Sequence, residues 1–185
     1  MPLRVISGIA RGKRLKVPEG KIRPLSERAR EALFNILAPR TSGCDFLDLF
    51  AGSGAVGIEA LSRGARLAVF VEIDKKSVSV IWENLENTGF SGQAEVYALP
   101  VEAALKILNK NSAKFDIIFL GAPYGSPSLI EAMKFLGGYS LLKDSSVVIA
   151  EYRFKHDIAE TFGVLNIFRK ERYGDTVFSF YKVNK

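Results

Sequence analysis

The sequence predicts an α/β fold: a mostly parallel, seven-stranded sheet covered by helices and closed by an antiparallel hairpin. Apolar stretches of strand length alternate with amphipathic stretches of helix length from about residue 46 to residue 152, which indicates right-handed βαβ crossovers. Two β-type stretches, 165–170 and 176–182, then flank Tyr173-Gly174-Asp175, which is typical of a hairpin. A chain of 185 residues is long enough for one domain with a sizeable core.

The alternating region is predicted to contain five strands and four helices. The strands are expected at 46–50, 67–72, 93–97, 115–121 and 146–152, and the helices at 54–63, 75–88, 101–109 and 127–136. Before this region the pattern predicts a short N-terminal β-hairpin and then a helix that begins after the N-cap residue Ser26, runs to about Leu37 and is stopped by Pro39. We therefore expect residues 1–22 to form a small basic extension and residues 23–185 to form the main domain.

The composition is that of an ordinary globular protein, with 48% hydrophobic and 25% charged residues. No apolar run approaches the length of a membrane-spanning helix, and the N-terminus lacks the apolar core of a secretory signal. One cysteine, Cys44, cannot form an intrachain disulfide, which fits a cytoplasmic protein. The chain contains only one histidine and one cysteine, which disfavours a zinc site, so no metal is expected.

The excess positive charge lies at the start of the chain. The first forty residues hold ten Lys and Arg against three Glu, whereas the remainder holds sixteen basic and seventeen acidic residues. Clustered Lys and Arg bind nucleic-acid phosphates by releasing counterions, and a solvated basic surface without a partner is the alternative. The candidate RNA-binding residues are Arg11, Lys13, Arg14, Arg28 and Arg30, and the last two are expected to point away from the packed face of their helix.

The stretch 46–57 has the pattern of a cofactor-binding loop, because an apolar strand turns through Gly52 and Gly54 into a helix. Glycine reaches backbone conformations that are closed to other residues and lets a ligand approach the free N–H groups of the helix. Glu72 ends the next apolar stretch, so its carboxylate should lie at the tip of the neighbouring parallel strand. There it can accept hydrogen bonds from a ribose diol.

Two cofactors compete for this loop. Gly52, Gly54 and Gly57 fit the G-x-G-x-x-G pattern of NAD sites, but a pyrophosphate would be repelled by Asp48 on the preceding strand. S-adenosyl-L-methionine carries no phosphate, and its ammonium and sulfonium groups are attracted by a carboxylate. We therefore favour S-adenosylmethionine. NAD, and a glycine turn that merely packs a helix on a strand, remain as alternatives.

A second motif follows the buried stretch 115–120, where the chain runs into Gly121-Ala122-Pro123-Tyr124. In open α/β sheets the ligand crevice lies beyond the carboxyl ends of the central strands, so this tetrapeptide should face the glycine loop. Taken together, the segments 23–35, 47–55 and 59–63 resemble the RsmD-like bacterial methyltransferases, which modify guanine N2 in small-subunit ribosomal RNA. The resemblance extends over nearly the whole chain.

This resemblance implies a Rossmann-like class I methyltransferase fold, S-adenosylmethionine as cofactor, and ribosomal RNA or the 30S particle as partner. We also expect a monomer in the cytoplasm. In that family the glycine loop holds the methionine part of the cofactor, the residue matching Glu72 holds the ribose, and the Arg-Pro segment borders both cofactor and RNA. The cofactor-binding residues expected here are Arg23, Asp48, Phe50, Ala51, Gly52, Ser53, Gly54, Glu72, Ile73 and Val101.

The chain departs from the family at the catalytic tetrapeptide. Family members carry Asp-Pro-Pro-Tyr or Asp-Pro-Pro-Phe, whereas this chain has Gly121, Ala122, Pro123 and Tyr124. The expected catalytic groups are therefore the carbonyl near Ala122 and the Tyr124 ring as a platform for the flipped base. One hypothesis is that Glu151, at the end of the next strand, replaces the missing carboxylate. The competing function is a catalytically impaired RNA-binding or ribosome-assembly protein on the same fold.

Overall fold

The structure is a computed structural model that describes residues 2–20, 24–138 and 141–184. Its helices are α1 (Glu27–Thr41), α2 (Ala55–Ser62), α3 (Lys75–Thr88), α4 (Val101–Lys110) and α5 (Ser128–Gly138). Its strands are β1 (Asp45–Leu49), β2 (Leu67–Val71), β3 (Ala94–Tyr97), β4 (Phe115–Leu120), β5 (Leu142–Arg153), β6 (Thr161–Phe162), β7 (Leu165–Tyr173) and β8 (Thr176–Val183). A short 3-10 turn, Ser91–Gln93, precedes β3.

The strands form one sheet in the order β3-β2-β1-β4-β5-β8-β7-β6. β1 to β5 pair in parallel, and β6, β7 and β8 add an antiparallel end. The chain leaves β1 toward β2 on one side and returns as β4 on the other side, so the sheet has its topological switch point between β1 and β4. Ligands of open α/β sheets bind in the crevice at such a point.

The sheet has eight strands within the described residues, not the predicted seven. The additional strand, β6, is two residues long and pairs with β7 across a tight turn at Gly163. A Cβ atom at Gly163 would lie 2.2 Å from the carbonyl oxygen of Gly137 at the end of α5. The strand therefore lies against the end of α5, a contact between distant segments that no local sequence pattern predicts.

Two hydrophobic layers cover the sheet. On one face, α1, α2 and α3 bury residues such as Phe34, Ile58 and Ile81 against β-strand side chains. On the other face, α4 and α5 bury Leu105 and Met133. The parallel strands are apolar on both sides because both faces are covered, and their carboxyl ends are therefore held at one rigid edge.

The N-terminal arm, residues 2–20, packs on the first layer. Its two halves are joined by one isolated antiparallel bridge between Arg4 and Arg14, so the predicted N-terminal hairpin does not form as two full strands. The turn of the arm binds α2 instead: Ile9 N–H donates to the Ser62 carbonyl oxygen at 2.9 Å. A Cβ at Gly8 would lie 1.8 Å from that same oxygen, which explains the glycine.

Helix α1 differs from the prediction in two respects. It continues past Pro39 to Thr41, whose hydroxyl donates to the Leu37 carbonyl oxygen at 2.9 Å and so supports the last turn. Arg30 lies on its buried face, with an exposed fraction of zero. Its guanidinium donates to the Arg4 carbonyl oxygen and forms an ion pair with Glu59 of α2 at 3.9 Å. The expectation that Arg28 and Arg30 both point away from the packed face is thus wrong for Arg30.

In the described part of the chain, no helix combines the length and the apolar composition that crossing a membrane requires. Within the same ranges, no group of three or more His, Cys, Asp or Glu side chains is placed to hold a metal ion.

Candidate active site

The glycine loop joins β1 to α2 through three residues in left-handed conformations. Phe50 has a φ of 62°, Gly52 a φ of 56° and Gly54, the N-cap of α2, a φ of 75°. A non-glycine residue in this region is strained, and such strain is typical of ligand-binding loops. The loop turns back over the sheet, where Ala51 N–H donates to the Val71 carbonyl oxygen at 3.0 Å.

Two carboxylates fix the shape of this loop. Asp48 of β1 accepts a hydrogen bond from Gly57 N–H in the first turn of α2, at 2.9 Å. Glu72, directly after β2, accepts from Gly52 N–H at 2.8 Å and from Asp74 N–H at 2.9 Å. Each carboxylate oxygen has a second lone pair that is available to a ligand. Both residues therefore hold the loop and can face a cofactor at the same time.

A cavity of about 440 Å³ opens beside the loop at the switch point. Three carboxylates line it: Asp48, Glu72 and Glu151. The described lining residues include no Lys, Arg or His. Burial raises the pKa of Asp48 well above its ordinary value, and the nearby Glu72 and Glu151 carboxylates raise it further, against the hydrogen bond from Gly57. A positive ligand would relieve the repulsion between Asp48 and the two glutamates, so this charge pattern favours a cation.

A second cavity, of about 700 Å³, adjoins the first and shares Phe50, Glu72 and Ile73 with it. Leu99, Pro100 and Val101 give it an apolar wall. The Ile73 side chain is 63% exposed between the two cavities and offers apolar surface to both. An aromatic base would cover such a wall, with its ribose next to Glu72.

The tetrapeptide lines the first cavity together with Asp48. Gly121 N–H donates to the Leu49 carbonyl oxygen at 3.2 Å, which fixes the segment beside β1. Ala122 is buried and Pro123 is exposed. The Tyr124 ring is 40% exposed, and its hydroxyl donates to Glu151 Oε1 at 2.6 Å.

Asn84 of α3 is part of this site although sequence reasoning did not select it. Its side-chain amide donates to the carbonyl oxygens of Ser53 and Lys16, at 2.9 Å and 3.0 Å, and its Oδ1 accepts from Lys16 N–H at 2.7 Å. A fully buried asparagine thus joins the glycine loop to the N-terminal arm. A polar residue on the apolar face of α3 was the available signal. Asp74, by contrast, is a helix cap, since it accepts from Ser77 N–H at 2.8 Å.

The structure brings most of the predicted cofactor residues together. Asp48, the glycine loop, Glu72 and Ile73 line the first cavity, and Val101 lines the adjoining one. Gly54 lies behind the loop, where a Cβ would contact Ile81 at 3.3 Å. Arg23 lies outside the described residues, but Pro24 and Leu25, which follow it, line the first cavity.

The basic candidates separate into two groups. Arg11, Lys13, Arg14 and Arg28 are exposed. The prediction that Arg30 binds RNA is wrong, because its guanidinium is buried between the arm and α2 and cannot reach a phosphate. Burial lowers the pKa of Arg30, against the attraction of Glu59 and Glu27. The neighbouring Lys and Arg residues are mostly exposed, so the sequence did not indicate that Arg30 has a structural role.

Comparison with known proteins identifies the family. A family model described as conserved hypothetical protein 95 matches residues 3–182. YlbH of Bacillus subtilis is 38% identical over 181 residues, which cover 97% of this chain and 98% of that protein. Ribosomal RNA small subunit methyltransferase D of Escherichia coli K12 is 32% identical over 181 residues, covering 97% and 89%. The chain belongs to the RsmD family.

Solved structures agree with this assignment. A hypothetical protein of Thermus thermophilus superimposes on the chain with a TM-score of 0.85 at 34% identity, covering 98% of this chain and 99% of that one. The Rossmann-like fold expected from the resemblance is therefore confirmed. The glycine loop, Glu72 and the tetrapeptide all fall within the span that the RsmD family model matches.

Proposed function

We propose that this RsmD-family protein transfers a methyl group from S-adenosylmethionine to the exocyclic N2 of a guanine in small-subunit ribosomal RNA. The observation that carries the proposal is the cavity at the switch point, which three carboxylates line without a cationic side chain among the described lining residues. This charge pattern suits an ammonium and a sulfonium and disfavours a pyrophosphate. The Escherichia coli relative is a ribosomal RNA small subunit methyltransferase by name, which supports the substrate class.

The two cavities fit the two halves of this cofactor. The methionine part would lie on the glycine loop, with its ammonium near Asp48 and the N–H group of Ser53 facing its carboxylate. Glu72 would accept from the ribose hydroxyls. Ile73 and Val101 would enclose the adenine, because both offer apolar surface to a planar ring. When bound, S-adenosylmethionine supplies an electrophilic methyl group.

The residues of the tetrapeptide would position the target base. The exposed Tyr124 ring offers a stacking face to a flipped guanine, and stacking of this kind holds a base in place without reading its edge. The carbonyl near Ala122 would accept one hydrogen of the N2 amine. Transfer would then depend chiefly on alignment of N2 with the methyl carbon, since a well-oriented pair gains a large effective concentration.

The basic residues would hold the RNA. Arg11, Lys13 and Arg14 on the arm and Arg28 on α1 are exposed, and Pro24 and Leu25 between these groups line the first cavity. We propose that the chain consists of a basic arm, residues 1–22, and a methyltransferase domain, residues 23–185. We expect the protein to act as a monomer in the cytoplasm on ribosomal RNA or on the 30S particle.

Methyl transfer from labelled S-adenosylmethionine to small ribosomal subunits without N2-methylguanine tests this proposal. We expect label in the RNA, recovered as N2-methylguanosine after digestion. Label on another nucleoside, or on protein alone, would refute the guanine N2 assignment. Purified RNA and whole subunits should be compared as substrates.

The alternative is a catalytically impaired RNA-binding or assembly protein, and one observation favours it. Gly121 supplies no side chain where family members carry an Asp, and loss of one preorganised group commonly lowers a rate by about 10²–10³-fold. Binding of both cofactor and subunit with no transfer would support this alternative. Restoration of transfer by Gly121→Asp would support it further.

A further inference from the structure

We propose that Glu151 is a catalytic residue that accepts a hydrogen bond from the target amine on the side opposite the methyl donor. This inference rests on the proposed function. It assigns the carboxylate acceptor that the tetrapeptide lacks because residue 121 is a glycine. Glu151 lies in the buried part of β5 and is 8% exposed. It nevertheless lines the first cavity. A carboxylate in such a place normally has a partner or a task.

The order of the strands puts Glu151 on the target side of the cavity. Glu72 follows β2 and accepts a hydrogen bond from Gly52 N–H in the glycine loop. Asp48 lies in β1 and accepts one from the N–H of Gly57 in α2. β4 comes next in the sheet and leads into the tetrapeptide, and β5 with Glu151 lies beyond it. Of the three carboxylates, Glu151 is therefore the one separated from the cofactor loop by the tetrapeptide.

The side chain of Glu151 is held in a fixed orientation. Tyr124 donates to its Oε1 at 2.6 Å. The other oxygen, Oε2, lies 3.3 Å from the position that a Cβ at Gly121 would occupy. The absence of a side chain at residue 121 thus leaves Oε2 open toward the cavity. A base stacked on the Tyr124 ring would have its edge near the carboxylate that the same tyrosine orients.

The chemistry requires an acceptor at this point. The lone pair of guanine N2 is delocalised into the ring, and hydrogen bonds from its N–H groups to fixed acceptors draw that nitrogen toward a tetrahedral geometry. Two acceptors would then face the amine, the carbonyl near Ala122 and Glu151 Oε2. The N2–C bond forms as the C–S bond breaks, and the electron pair of that bond stays on the sulfur as a neutral thioether.

The transfer leaves one proton in excess on N2. Glu151 can take it, and then release it to water when the product leaves. Burial raises the pKa of Glu151, against the hydrogen bond from Tyr124, which makes this carboxylate a better proton acceptor than an exposed one.

Glu151→Gln tests the inference, because the amide keeps the size of the side chain and can still accept from Tyr124. We expect kcat for methyl transfer to fall by about 100-fold, with S-adenosylhomocysteine affinity and subunit affinity within threefold of wild type. Glu160→Gln, which changes an exposed carboxylate, is the matched control and should leave kcat unchanged. Unchanged kcat in Glu151→Gln would overturn the inference while the proposed function stands.

Glu151→Asp keeps the negative charge but moves it back by the length of one methylene group. This variant tests the inference if Glu151→Gln fails to fold. We expect about a tenfold loss of kcat with little change in KM. Wild-type kcat in a folded Glu151→Asp variant would count against the inference. Absence of any transfer by the wild-type protein would overturn the proposed function together with this inference, an outcome distinct from the variant results.

Discussion

Asp48 and Gly57 are joined by a hydrogen bond of 2.9 Å from the helix N–H to the strand carboxylate. This bond ties β1 to the first turn of α2 and sets the curvature of the loop between them. The same carboxylate is fully buried beside two others. Asp48 therefore contributes to the shape of the loop and to the negative charge of the cavity, and these two roles have opposite effects on stability.

Asp48→Asn separates the two roles. The amide oxygen can keep the bond from Gly57, so we expect the free protein to gain about 1–3 kcal/mol in unfolding free energy near neutral pH. The folded-state pKa of Asp48 is raised, so this gain should be absent below about pH 4, where the carboxyl is protonated in both states, and should grow as pH rises. Urea unfolding from pH 4 to pH 8 measures it. Equal gain at both ends would contradict the assignment.

Gly57 also carries a packing requirement. A Cβ there would lie 2.3 Å from the ring of Phe70 in β2, so Gly57→Ala must displace either the helix or the ring. We expect a loss of about 2–4 kcal/mol in unfolding free energy. Gly92→Ala is the control, since a Cβ there meets nothing within 4 Å. Similar stabilities for the two variants would show that α2 does not pack as described.

Exposed and buried arginines should differ in RNA binding. Arg28→Gln removes an exposed charge, and we expect the salt dependence of RNA affinity, log Kd against log salt, to lose about one unit of slope. Lys110→Gln, at the exposed end of α4, should leave the slope unchanged. Filter binding at several salt concentrations measures both. Equal slopes for Arg28→Gln and wild type would remove Arg28 from the RNA surface.

Arg30→Gln should behave in the opposite way. The buried guanidinium donates to the Arg4 carbonyl oxygen, and loss of a buried hydrogen bond from a charged group commonly costs about 1.5–3 kcal/mol. We expect a large fall in unfolding free energy and, for the folded protein, an unchanged salt slope. A reduced slope with normal stability would show that Arg30 contacts phosphate after all.

Sequence reasoning predicted the parts of the site whose chemistry is local. The glycine loop, Asp48 and Glu72 lie within a single strand-turn-helix-strand unit, so spacing alone places them together. The tetrapeptide was placed by the rule that ligands bind at the carboxyl ends of parallel strands. Both predictions needed only the order of the elements.

The features that the sequence did not reveal depend on distant contacts. Asn84 joins Ser53 to Lys16, two segments that are separated by more than thirty residues in the chain. Arg30 is buried because Glu59, on another helix, lies opposite it. No periodicity within one helix encodes such a partner. A charged residue on an otherwise apolar helix face indicates that a buried partner exists. It does not identify that partner.

Binding of the cofactor measures the central claim most directly, because the carboxylate-lined cavity is the observation on which the function rests. We expect isothermal calorimetry with the free protein to show binding of S-adenosylmethionine and of S-adenosylhomocysteine, and no binding of NADH under the same conditions. Tight binding of NADH, with none of either sulfur compound, would contradict the account.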